Sequence, residues 1–117
     1  MQKRKPTHKE LNLICFLAKK GNRNVDEELN KIMVAPMNDG GMGSLVIFYD
    51  ENDNEMADRH FGKQLSECTF MDKDGTQVIA SLNLDEDGNL YELDIWKTDF
   101  SALIDLPEAD LLTTSLL

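Results

Sequence analysis

The chain has little of several things, and each shortage removes a class of protein. Two cysteines in 117 residues cannot build a disulfide framework. No apolar run approaches the ~18–20 residues of a membrane span. The basic start Met1-Gln2-Lys3-Arg4-Lys5 is not followed by the roughly 7–15 apolar residues of a secretory signal, so a cytoplasmic home is expected. Basic residues are scarce, 12 against 22 acidic ones, for a net charge of −10. What is present suits a folded domain: 41% hydrophobic and 29% charged residues fit a globular rather than a disordered chain. The expected organisation is one domain over 1–117, with 1–6 and about 108–117 as loose termini.

The charge is unevenly spread. Residues 1–31 hold eight Lys or Arg and four Asp or Glu, whereas 32–117 hold four against eighteen. A segment with a balance of −14 repels phosphate backbones and acidic lipid surfaces, so neither a nucleic acid nor a membrane is an expected partner. A basic protein is, because such a field steers and holds it in a salt-dependent way. Solubility is the plainer explanation of the same charge.

Thr7-His8-Lys9-Glu10 is a capping box ahead of an apolar run. Leu11, Ile14, Leu17 and Ala18 recur at helical spacing, widened by Cys15 and Phe16, and Gly21 is a stop. The pattern predicts a helix over about 8–20. Asn24, followed by Asp26, Glu27 and Glu28, is a candidate cap for a short second helix. From Ile32 onward the pattern turns to strands. Residues 32–37 read as an edge strand because of Pro36. Residues 44–49, apolar on both faces, read as a central one. Residues 64–71, 76–84 and 89–97 follow, separated by the hairpin signals Asp72-Lys73-Asp74-Gly75 and Asp85-Glu86-Asp87-Gly88. Residues 50–58 have the composition of a loop. Apolar residues in 100–107 are candidates to dock on the sheet edge.

Register follows from alternation. A three-residue loop with a glycine bulge pairs Phe70 with Val78 and Cys68 with Ala80 in the first hairpin, and apolar residues then share one face. In the second hairpin, setting Leu84 opposite Asn89 places Leu82, Ala80 and Val78 against Tyr91, Leu93 and Ile95. The opposite face then carries Asn83, Ser81, Ile79 and Gln77 against Leu90, Glu92, Asp94 and Trp96. The turn chemistry favours a register shifted by one; the burial pattern is preferred.

Motifs with chemical potential are few. Asn83-x-Asp85-x-Asp87-Gly88-x-Leu90-x-x-x-Asp94 overlays much of a calcium loop, but its flanks read as strands and a hairpin turn explains it better. Gly40-Gly41-Met42-Gly43-Ser44 lacks the lysine and the following helix of a phosphate-binding loop. His8 and His60 lack companion ligands at metal-site spacing. Cys15 and Cys68 read as packing residues, and no third group is evident to orient a Cys68/His60 pair. Trp96, the only tryptophan, shares a face with Glu92 and Asp94, as a contact anchor does, unless the helix covers that face and buries it.

Three stretches carry a resemblance: Asp39-Gly40-Gly41-Met42-Gly43-Ser44-Leu45, Asp72-Lys73-Asp74-Gly75-Thr76-Gln77-Val78, and the run from Leu82 to Phe100 that contains Leu90-Tyr91-Glu92-Leu93-Asp94-Ile95-Trp96-Lys97. Together, over about Pro6 to Leu106, they resemble a family of small uncharacterised bacterial proteins with an MGSL turn and an LYELD-[IV]-[WF]-K ending. That resemblance implies no catalytic residue. The D-x-x-G-x-L-x-E-L style is also similar to that of several immunity proteins encoded beside bacterial toxins.

The expectation is therefore an α+β domain with an N-terminal helix, and a candidate short second one, on an antiparallel sheet of about five strands. The expected function is non-enzymatic: an acidic module that binds a basic, toxin-like protein, without metal or cofactor. The expected contact residues are Asp72, Asp74, Asp85, Asp87, Glu92, Asp94 and Trp96. The alternative is a housekeeping or regulatory domain that binds a small ligand or homodimerises through its sheet. An enzyme, for which no clustered spacing is evident, and an acidic mimic of DNA are weaker readings.

Overall fold

A computed structural model of the protein describes residues 2–49 and 59–108. The predicted helix forms as α1, His8–Lys20. Its first turn is closed twice: the Thr7 hydroxyl accepts from the Glu10 N–H at 3.2 Å, and the Glu10 carboxylate accepts from the Thr7 N–H at 2.8 Å. Lys19 and Lys20 complement the dipole at its end. Gly21 stops it at a φ of −90°, with left-handed geometry falling on Asn22 instead. What demands glycine at 21 is space, since a Cβ there would stand 2.5 Å from the Leu65 Cγ. The second helix does not form. Asn24 caps only a turn, its side-chain oxygen accepting from the Asp26 N–H, and 26–31 is a run of turns that buries Val25.

Five antiparallel strands follow: β1 Met33–Pro36, β2 Leu45–Phe48, β3 Phe61–Met71, β4 Gln77–Asp85 and β5 Leu90–Lys97, in the order β1-β2-β5-β4-β3. β1 is the edge strand that Pro36 implies. Its outer side is met by the N-terminal arm, where Arg4 and Val34 exchange backbone hydrogen bonds and the Arg4 guanidinium pairs with Glu10. Arg4 thus ties to the sheet an arm expected to be loose. The other expected loose end, beyond 108, lies outside the described residues, as does the loop over 50–58. Residues 44–49 provide an inner strand, and β3 starts three residues earlier than expected.

One face of the sheet is apolar and carries α1. Leu13, Ile14 and Leu17 pack with Val78, Ala80, Leu82, Leu93 and Ile95 in a single core. Burial of this stripe, worth ~1.5–3 kcal/mol per large side chain, holds the helix to the sheet. The first hairpin has the expected register, Phe70 with Val78 and Cys68 with Ala80. The second differs from the register preferred on burial. Turn chemistry prevails: the Asp85 N–H donates to the Asn89 oxygen and the Gly88 N–H to the Asp85 oxygen, with Gly88 at φ +84°. Leu84 therefore meets Leu90, and Tyr91 is then bulged out, so Asn83 meets Glu92. Beyond the bulge Leu82 pairs with Leu93 and Ala80 with Ile95. The two faces keep their predicted membership apart from Leu90, which is buried, and Tyr91, which is bulged out, but beyond the bulge partners slide by two residues. An extra residue satisfies the turn and the burial pattern together.

After β5 the chain crosses the end of the sheet rather than its edge. Leu103 packs on the core and its N–H donates to the Gly41 oxygen, while Phe100 and Ile104 stay exposed. At the opposite end Gly62 allows β3 to approach β4, because a Cβ there would lie 2.2 Å from the Asp85 carbonyl oxygen. Gly62→Ala is expected to lower stability by about 1–3 kcal/mol in urea denaturation; an unchanged midpoint would mean that this close approach does not hold β3 in place.

Candidate functional site

The seven acidic and aromatic residues expected to form one contact surface fall in three places. Asp72 and Asp74 lie in the β3–β4 hairpin, Asp85 and Asp87 in the β4–β5 hairpin at the other end, and Glu92, Asp94 and Trp96 on the sheet face that α1 leaves uncovered.

At the first end, the Lys97 ammonium sits with its side chain 1% exposed, 2.9 Å from Asp72 and 2.7 Å from Asp74, and donates to the Ala102 oxygen. The Asp72 carboxylate also accepts from the backbone N–H groups of Lys73, Ile104 and Asp105. Burial pushes this carboxyl up, but the Ile104 N–H, the Lys97 ammonium and the other two N–H groups outweigh it and hold it down at about 2. Asp72 is therefore taken up inside the molecule and cannot meet a partner. Asp74 is held below the usual carboxylate range by Lys97 and the Thr76 N–H, and keeps an exposed side.

At the other end, Arg59 grips Asp85 at 3.0 Å and donates to the Ile47 and Leu90 oxygens, with its guanidinium 5.0 Å from the Tyr91 ring centre. Asp85 also accepts from the N–H groups of Asp87 and Asn89. Its own burial works against ionisation, yet the Asn89 N–H, Arg59 and the Asp87 N–H keep the carboxyl below its ordinary value. Asp85 is 5% exposed, so it too is internal, and Asp87 alone of this pair faces solvent. With Asp85 used in this way, the calcium-like spacing is a hairpin turn. Arg59, His60, Asp85, Glu86 and Asp87 line a polar cleft of about 350 Å³. Among the described residues no group of three or more His, Cys, Asp or Glu is placed to hold a metal ion.

The uncovered face is a grid of cross-strand rows. Thr69, Ile79 and Trp96 form one row, Glu67, Ser81 and Asp94 the next, and Gln64, Asn83, Glu92 and Val46 a third. The charged residues in these rows are Glu67, Glu92 and Asp94. Burial pushes the Glu92 carboxyl up against the opposing hydrogen bond from Asn83, while Asp94 stands exposed. Trp96 is 42% exposed, which answers the question of whether the helix buries it. Phe100 stands against it, 70% exposed, and Met71, 63% exposed, lies on β3 two strands away. Glu67 and Met71 were legible from the first hairpin's register, which puts odd-numbered residues of β3 on this face. Phe100 was not legible. It sits at φ +65°, a left-handed conformation that costs a bulky residue on the order of 1–3 kcal/mol.

The thiols are poor nucleophiles. Burial pushes Cys68 up, and burial with Asp26 pushes Cys15 up. His60 precedes Cys68 by eight positions along extended chain, roughly 25 Å at ~3.3 Å per residue, so the two cannot act as a pair. Cys15 borders a second cleft of about 370 Å³ with Lys19, Arg23 and Asp26.

No helix among the described residues is long and apolar enough to cross a membrane. Residues 3–107 match a family model described as a domain of unknown function, DUF6984, and the chain belongs to that family. Comparison with curated proteins and with solved structures gives no match.

Asp72→Ala leaves the buried Lys97 with Asp74 as its one charged partner. It is expected to cost on the order of 3 kcal/mol in urea denaturation. The native Asp72 pKa of about 2 lies below its ordinary value of 3.8, so its contribution is complete above about pH 4 and is lost as pH falls through 2. The acid limb of stability should therefore flatten in the variant; an unaltered limb would show that Asp72 does not carry it.

Proposed function

We propose that this member of the DUF6984 family is a non-enzymatic protein-binding module that docks a basic partner on the uncovered face of its sheet, most concretely as an immunity-type inhibitor of a toxin. The observation that carries this reading is the composition of that face. Exposed Trp96 stands in a grid whose charged residues, Glu67, Glu92 and Asp94, are all acidic. Aromatic side chains at a contact centre supply most of the affinity, and acids around them steer a cationic protein. The strong negative balance of residues 32–117 extends that field beyond the grid. Asp74 and Asp87, solvent-facing in the two hairpins, add to it. Asp72 and Asp85, occupied internally, are no longer among the proposed contacts.

A second reading rests on the edge of the sheet. Among the described residues β3 has a strand on one side only, and its eleven residues offer an edge for pairing with another copy. The Lys20 ammonium covers one outward carbonyl, that of Glu67, and the register is irregular in the first half of β3. Both features work against self-pairing, so the face is preferred. A solution mass of twice 13.3 kDa would favour the edge.

The test is parallel affinity capture from the source organism's lysate with the wild-type chain and a Glu67→Lys/Asp94→Lys variant. The variant is expected to stay within about 1 kcal/mol of wild-type stability, because both side chains are exposed and the Ser44 hydroxyl that reaches Asp94 keeps the Ile95 oxygen as an acceptor. The wild type is expected to retain one stoichiometric basic protein that salt releases, and the variant to lose it. Equal retention by both would discard this face as the site.

A further inference from the structure

We infer that the exposed faces of the touching Trp96 and Phe100 rings, a shallow aromatic notch, receive an arginine guanidinium of the basic partner, an inference that rests on the docking face proposed above. Phe100 is the clue. A bulky residue in left-handed geometry persists only when its surroundings impose it. Here they do: the Phe100 N–H donates to the Lys97 oxygen at 2.8 Å, Asp99 accepts from both the N–H and the hydroxyl of Ser101, and the Leu103 N–H is fixed to the Gly41 oxygen. The outcome is an apolar ring turned to solvent rather than to the core. Its centre lies 5.9 Å from that of the indole, with the planes inclined at 53°. Rings that met only to hide from water would bury more than these two, which remain 70% and 42% exposed.

The surroundings select a cation. Asp94 is two residues before Trp96 on the same face of β5, about 7 Å along the strand. Asp99 directly precedes Phe100, and Ser101 favours its carboxylate form. The nearest lysine in sequence, Lys97, points to the other face and is neutralised by Asp72 and Asp74. Arginine fits such a notch better than lysine, because a planar guanidinium stacks on an aromatic ring and still presents donors to a carboxylate. A second copy of this chain meeting it through the same face would bring acid against acid, and a nucleotide would bring phosphate against Asp94 and Asp99.

Trp96 is the only tryptophan, so its emission reports on this notch alone. The full chain is titrated with two nine-residue peptides of equal charge, one carrying three arginines in a glycine–serine background, the other three lysines at the same positions. The arginine peptide is expected to change Trp96 emission saturably and to bind at least fivefold more tightly. Phe100→Ala is expected to abolish that preference while leaving the lysine peptide's affinity unchanged. Trp96→Leu, followed by calorimetry, should do the same and guards against a change confined to the segment around Phe100. Equal binding of both peptides to the wild type would overturn the arginine notch and leave the acidic face standing. Binding of neither would overturn both.

Discussion

The buried contact between Lys97 and Asp72 is the point on which three separate parts of the chain converge. Lys97 ends β5, Asp72 opens the β3–β4 hairpin, and the backbone of Ile104 and Asp105 belongs to the segment that closes the sheet's end. A lysine at a core position opposite Val78 is costly to desolvate. The cost is offset by two carboxylates and a carbonyl at hydrogen-bond distance, and Asp72 in turn has four donors. Apolar side chains could fill that space, but they could not fix where the last segment crosses. Charge buried in this way specifies an arrangement more than it adds stability.

The same geometry sorts the acidic residues. The excess of acid over base invites a single account, yet the structure divides it. Asp72 and Asp85 are structural, each at the head of a hairpin, each accepting backbone N–H groups and one cation. Glu67 and Asp94 stand on a face that α1 leaves open. Because the strap that Asp72 holds also carries Phe100 at its start, the internal ion pair and the exposed aromatic pair are linked.

Much of the architecture is legible in the sequence. The capping box, the hydrophobic stripe of α1 and the two D-x-D-G turns are local signals, and each acts over a few residues. Register in the second hairpin differs by two positions from the one that burial alone favours, because two local demands act together. Turn geometry and facial burial are both met once Tyr91 is bulged, and nothing in the spacing of Leu90, Tyr91 and Glu92 announces which residue will be extruded. The short second helix failed for a related reason. Capping residues near Asn24 suit a turn equally well, and Val25 is drawn into the core before a helix can extend.

The sequence by itself determined the fold class, the strand boundaries to within a few residues and the membership of the two sheet faces. All of these follow from periodicity and turn chemistry read along the chain. It also determined that Trp96, Asp94 and Glu92 would share a face. Tertiary structure decided which face the helix covers, and with it whether Trp96 is core or surface. It decided which acids are consumed by Lys97 and Arg59. These outcomes depend on contacts between residues some 25 or more positions apart, such as Asp72 with Lys97 and Arg59 with Asp85. No local pattern encodes such pairs, because a buried carboxylate and an exposed one are written with the same residue.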